Sequence, residues 1–107
     1  MKIVAAAEKK AQDEVQISYD ITVNGTLLKA DRYQIACDTK VVRFSRVIEE
    51  PGGFTSLKKV LEVPCEGELL PARRTTTELS LPMKNGVRVL DKVYLRGSNV
   101  AHVIPVK

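Results

Sequence analysis

Val15-Gln16-Ile17-Ser18-Tyr19-Asp20-Ile21-Thr22-Val23-Asn24-Gly25 alternates apolar and polar side chains before ending in a turn dipeptide. Successive side chains of a strand point to opposite faces, so Val15, Ile17, Tyr19, Ile21 and Val23 predict a strand with one buried face. Asn24 and Gly25 both tolerate the positive φ of a tight hairpin turn. A returning strand is expected near Thr26 to Ala30.

Upstream, Ala5-Ala6-Ala7-Glu8-Lys9-Lys10-Ala11-Gln12 is rich in helix formers and lacks Gly and Pro. It predicts a short N-terminal helix ending near Asp13. Downstream, β-prone sequence runs from Tyr33 to Ile48 and includes Val41-Val42-Arg43-Phe44. From Glu49 to Gly86 the chain is interrupted by Pro51-Gly52-Gly53, Pro64, Gly67, Pro71, Pro82 and Asn85-Gly86. There Leu57 to Val63 and Thr75 to Leu81 fit short strands extending a hairpin beyond the domain body, while Glu66 to Arg74 fits a mobile loop equally well. At the C-terminal end Val87, Val89, Val93 and Leu95 share strand spacing, broken by Asp91. An Arg96-Gly97-Ser98-Asn99 connection then leads to Val100, His102, Ile104 and Val106. Short strands, tight turns and one leading helix predict a mainly β fold, a small barrel or strongly bent sheet.

The 107 residues suit a single domain, and no repeat or linker divides them. A hydrophobic share of 44% supports a folded chain, and without tryptophan its core must be largely aliphatic. No apolar run is long enough for a membrane helix, and Met1-Lys2-Ile3-Val4 is too brief for a signal peptide, so a soluble intracellular protein is expected. Cys37 and Cys65 show neither a disulfide framework nor zinc spacing, and with His102 as the one histidine a metal centre would lack ligands. The net charge of +4 is compatible with a polyanionic partner and equally with ordinary solvated lysines. No nucleophile–base pair, phosphate loop or cofactor fingerprint is present, so neither an enzyme nor a cofactor is expected. Lys9-Lys10 and Arg73-Arg74 read as solvated charges, and His102 as a structural residue of an apolar strand.

Val93-Tyr94-Leu95-Arg96-Gly97-Ser98-Asn99-Val100, an aliphatic strand ending in Arg-Gly that turns into another aliphatic strand, resembles the second signature of the Sm/LSm family. The stretch from Leu90 to Val106 is most similar to the D-type core subunits of spliceosomal ribonucleoproteins. Gly25-Thr26-Leu27 and Asp31 match the first signature at the family's spacing, although Gln34-Ile35 replaces its Met-Asn. The resemblance implies a short N-terminal helix and a five-stranded, strongly bent antiparallel sheet. Glu49 to Gly86 would then be a long insertion between the third and fourth strands. It also implies edge-to-edge pairing with other Sm/LSm subunits into a ring, through Val89, Val93, Leu95, Val100, His102 and Ile104. The ring would bind single-stranded uridine-rich RNA in a nuclear splicing particle. Tyr33 and Arg96 would stack on a base, Asp31 would orient the loop, and Gly97 would admit close backbone approach. Gln34 or Asn99 would replace the hydrogen bonds that Ile35 cannot make. The alternatives are an Sm-like protein–protein scaffold without RNA contact, and an unrelated small β-domain. Phe54, Leu57, Leu69 and Leu70 mark the insertion as a partner-docking segment.

Overall fold

The structure is a computed structural model that describes residues 11–38 and 40–105. Twelve strands and no helix occur among the described residues. Strand β1 (Ala11–Ile17) leads into β2 (Ile21–Val23), and the chain returns as β3 (Thr26–Leu28) and β4 (Asp31–Cys37). A long hairpin follows, β5 (Val41–Glu50) and β6 (Phe54–Pro64), then β7 (Glu66–Leu69) and β8 (Glu78–Ser80). The last four strands are β9 (Met83–Lys84), β10 (Val87–Leu90), β11 (Lys92–Tyr94) and β12 (Val100–Val103).

These strands form three four-stranded sheets, ordered β1-β4-β5-β6, β3-β2-β10-β9 and β7-β12-β11-β8. Cys65 alone separates β6 from β7, Asp91 alone separates β10 from β11, and Leu81-Pro82 separates β8 from β9. Each of these runs leaves one sheet and enters another, which bends the chain around a common interior. The bends keep their backbone groups paired: the Asp91 N–H donates to the Ser80 carbonyl at 3.1 Å, and the Ile104 N–H donates to the Asp91 carbonyl at 2.9 Å. Every pairing is antiparallel except that of β2 with β10, where Thr22 lies beside Val89 and Val23 beside Leu90. Both two-residue hairpin turns carry positive φ throughout, Asn24 and Gly25 at 50° and 86°, Asn85 and Gly86 at 51° and 83°.

One hydrophobic cluster joins the sheets. Ile21 and Val23 come from one sheet, Tyr33, Ile35 and Phe44 from another, and Val93 from the third, each at most 1% exposed. Burying each such side chain stabilises the fold by roughly 1.5–3 kcal/mol. Beyond a bulge between Phe44 and Ser45, the β5–β6 hairpin leaves this cluster. No residue from Ser45 to Lys59 is buried, so the hairpin forms an arm.

Three expectations are corrected here. The helix expected over 5–12 lies largely outside the described residues, but Ala11, Gln12 and Asp13 already belong to β1, opposite Cys37, Ala36 and Ile35. Helix propensity is a small local term, and a ladder of seven residue pairs along β4 overrides it. The single five-stranded Sm-like sheet is replaced by three sheets, because the segment from Glu49 to Gly86 is not an appendage. It supplies β6, β7, β8 and β9, which hydrogen-bond to strands on either side of it in the chain. Residues 66–74 are likewise built in: β7 pairs with β12, and the Leu70 and Arg74 N–H groups donate to the Asn99 and Ser98 carbonyls at 2.7 and 2.9 Å.

Candidate binding surfaces

Tyr33 lies in the core of β4 at 1% exposure, and its hydroxyl donates to the Lys29 carbonyl at 2.6 Å. Burial pushes its phenol above the ordinary value. The ring is packed by the chain itself and presents no face to a base. Asp31, two residues earlier on the same strand, pairs with Arg46 Nε at 3.1 Å. Gln34 sits half-buried between Glu14 and Ser45 on the neighbouring strands.

Arg96, Gly97 and Asn99 lie at the far end of β11. The Ser98 N–H donates to the Leu95 carbonyl at 3.0 Å, and Gly97, third in that turn, has φ of 84°. That backbone conformation favours glycine. Loop 70–77 folds onto this turn. Arg73 Nη1 donates to the Gly97 carbonyl at 2.7 Å, and the Gly97 N–H donates to the Arg74 carbonyl at 2.8 Å. The Arg96 N–H donates to Thr77 Oγ1 at 3.0 Å. Three arginines are thereby gathered, two of which sequence reading left as unrelated solvated charges. Arg74 pairs with Glu78 and lies 4.6 Å above the Tyr94 ring. Arg96 stands 3.8 Å from Asp13, whose carboxyl the Thr77 hydroxyl donates to at 2.5 Å and holds below its ordinary value. Tyr33 and Arg96 share no hydrogen bond, ion pair or ring contact among the described residues.

The expected interface residues also face inward. Val89, Val93, Leu95, His102 and Ile104 are buried, and Val100 is half-buried. β11 and β12 pair with each other, and their outer edges are taken by β8 and β7. Neither edge of this hairpin is left to pair with a neighbouring subunit.

His102 Nδ1 stands 3.9 Å from Cys65 Sγ inside the protein. Burial raises the Cys65 thiol and lowers the His102 imidazole, so both partners are neutral near pH 7. Cys37, also buried, has its thiol pushed up to about 12. A neutral thiol beside a neutral imidazole is a packed pair rather than an activated nucleophile. Among the described residues no group of His, Cys, Asp and Glu is arranged to hold a metal ion.

A different surface stands out. Seven large apolar side chains are exposed among the described residues: Tyr19, Leu27, Phe54, Leu57, Leu69, Met83 and Val87. Four of them, Tyr19, Leu27, Met83 and Val87, line one cleft of about 280 Å³ on the β3-β2-β10-β9 sheet. Arg88 closes one side, its guanidinium 4.5 Å above the Tyr19 ring, and Lys84 stands opposite Val87 in the β9–β10 ladder. Neither cation has an ion-pair partner among the described residues. Asp20 also lines the cleft, with its carboxylate accepting the Ala30 N–H at 2.9 Å. Sequence reading missed this surface because it places Tyr19 on the buried face of one continuous strand. The chain instead leaves β1 at Ser18 and re-enters strand at Ile21, and Tyr19 falls in the corner at 43% exposure.

No protein-family model, no curated protein and no solved structure matches the chain.

Proposed function

We propose that the chain is a non-catalytic protein-binding module whose contact face is the cleft formed by Tyr19, Leu27, Met83 and Val87. The observation that carries this is the gathering in one place of four of the seven large apolar side chains exposed among the described residues. Scattered apolar residues on a surface need no explanation, whereas four gathered around one cleft form a surface that a partner can cover. Arg88, which lines the cleft and has no carboxylate partner among the described residues, would add selection among partners by charge. The burial of Tyr33 favours this protein–protein alternative over base stacking. The test is a photocrosslinking side chain placed at Leu27, with one at exposed Glu66 as the control. A protein adduct formed from position 27 and lost in Val87→Asp is expected. Adducts to nucleic acid only, or none above the Glu66 control, would overturn the proposal.

Single-stranded RNA binding is a second reading, favoured by the convergence of Arg73, Arg74 and Arg96 beside Tyr94. Cations of this kind release counterions from a phosphate backbone, and a stacked arginine–aromatic pair offers a flat face to a base. Binding of an oligouridylate that weakens steeply with salt, and weakens further in Arg96→Ala, is its expected signature. Binding with no salt dependence would exclude it.

A further inference from the structure

We propose that the occupant of the cleft is the β5–β6 arm of a second copy of this chain. The inference rests on the protein-binding reading of the cleft and names its partner. Among the described residues, two of the three exposed large apolar side chains outside the cleft, Phe54 at 63% and Leu57 at 51%, lie on the arm. The arm therefore carries apolar groups outward, and the cleft offers apolar side chains that stay exposed among the described residues. No arm residue lines the cleft, so the two surfaces of one copy are separate. A volume of about 280 Å³ is large enough to admit an aromatic side chain.

Charge agrees with this pairing. Glu50, opposite Phe54 in the hairpin, accepts the Ser56 hydroxyl at 2.7 Å and has no cationic partner among the described residues. Glu49 beside it is 3.0 Å from Arg32. The cleft rim carries Arg88, whose guanidinium has no carboxylate partner among the described residues, together with Asp20, whose carboxylate already accepts the Ala30 N–H. An arm entering with Phe54 leading brings the Glu50 carboxylate to that rim, where opposite charges steer the approach and fix its direction. Phe54 enters the apolar floor between Leu27, Met83 and Val87. The Pro51-Gly52-Gly53 turn keeps the tip narrow, since neither central glycine bears a side chain that the cleft would have to admit. Arm and cleft are different surfaces of one chain, so copies exchange arms reciprocally in a dimer or pass them head to tail in a larger assembly.

Complementation tests this with the full chain. Phe54→Asp disables the arm and keeps the cleft, whereas Val87→Asp disables the cleft and keeps the arm. Both positions are at least half exposed, so neither change disturbs the core. Sedimentation should show concentration-dependent self-association of the wild type, weakened by about 30-fold or more in each variant, the effect of losing a central apolar anchor. Mixing the two variants should restore one defined complex, because each supplies the surface the other lacks. A wild type that stays monomeric up to about 1 mM overturns the proposal. So does association unaffected by either variant, or a mixture of folded variants that fails to associate. A protein adduct at Leu27 alongside a monomeric wild type would retain the protein-binding reading and discard only the second copy as partner.

Discussion

At the scale of single residues, environment rather than identity decides what a side chain does. Tyr33 and His102 carry chemistry that suggests stacking or catalysis, yet both are closed into the interior. His102 is the only histidine, so its titration can be isolated. Burial lowers its folded-state pKa below the ordinary 6.5, meaning that the unfolded chain takes up the proton first. Stability is therefore full above pH 6.5 and falls as pH drops below that value toward the folded pKa. Stability to urea of the wild type should begin to fall as pH drops below 6.5, whereas His102→Gln should lack that onset. An equal slope in both proteins would show that His102 is not the titrating group. The role expected for His102 as a structural residue follows from its apolar flanks, but its contact with Cys65 joins β12 to the corner between β6 and β7 and leaves no sequence trace.

At the scale of elements, the turns are where local chemistry and final structure agree best. Asn24-Gly25 is a hairpin turn, as its dipeptide predicts, because the φ of Gly25 is one that side-chain-bearing residues resist. Gly25→Ala should cost about 1 kcal/mol, and Gly25→Asn less, since Asn tolerates the left-handed region. The measurement is the urea midpoint at unchanged slope. An Ala variant as stable as the wild type would mean that the turn relaxes at no cost. The Arg96-Gly97 turn is equally readable, and its setting is not. Loop 70–77, which docks on it, is held through backbone groups and the side chains of Arg73 and Thr77, contacts that no residue pattern announces. The helical composition before Asp13 misleads for a related reason. Its described end finds a partner strand in β4, and pairing there outweighs a small intrinsic preference.

At the scale of the molecule, three sheets share one cluster of buried side chains, so the chain should unfold as one unit. Phe44, fully buried in that cluster, is one of its two aromatics with Tyr33. Phe44→Ala should remove about 3–5 kcal/mol, a large part of the roughly 5–15 kcal/mol that holds a typical domain together. Circular dichroism and tyrosine fluorescence should report coincident unfolding transitions for the wild type, with the variant's midpoint sharply lowered. Separate transitions would divide the sheets into independent units. Alternation and turn dipeptides were enough to establish a mainly β chain, the Asn24-Gly25 hairpin turn, extended sequence over Tyr33 to Ile48 and a closing strand pair, because these depend on neighbours in sequence. The tertiary structure alone decided that β2 lies parallel to β10, that β7 and β8 cover the edges of β11 and β12, and that Tyr19 turns outward to form a cleft. Those outcomes depend on contacts between segments far apart in the chain, whose free energy appears only when both surfaces are present.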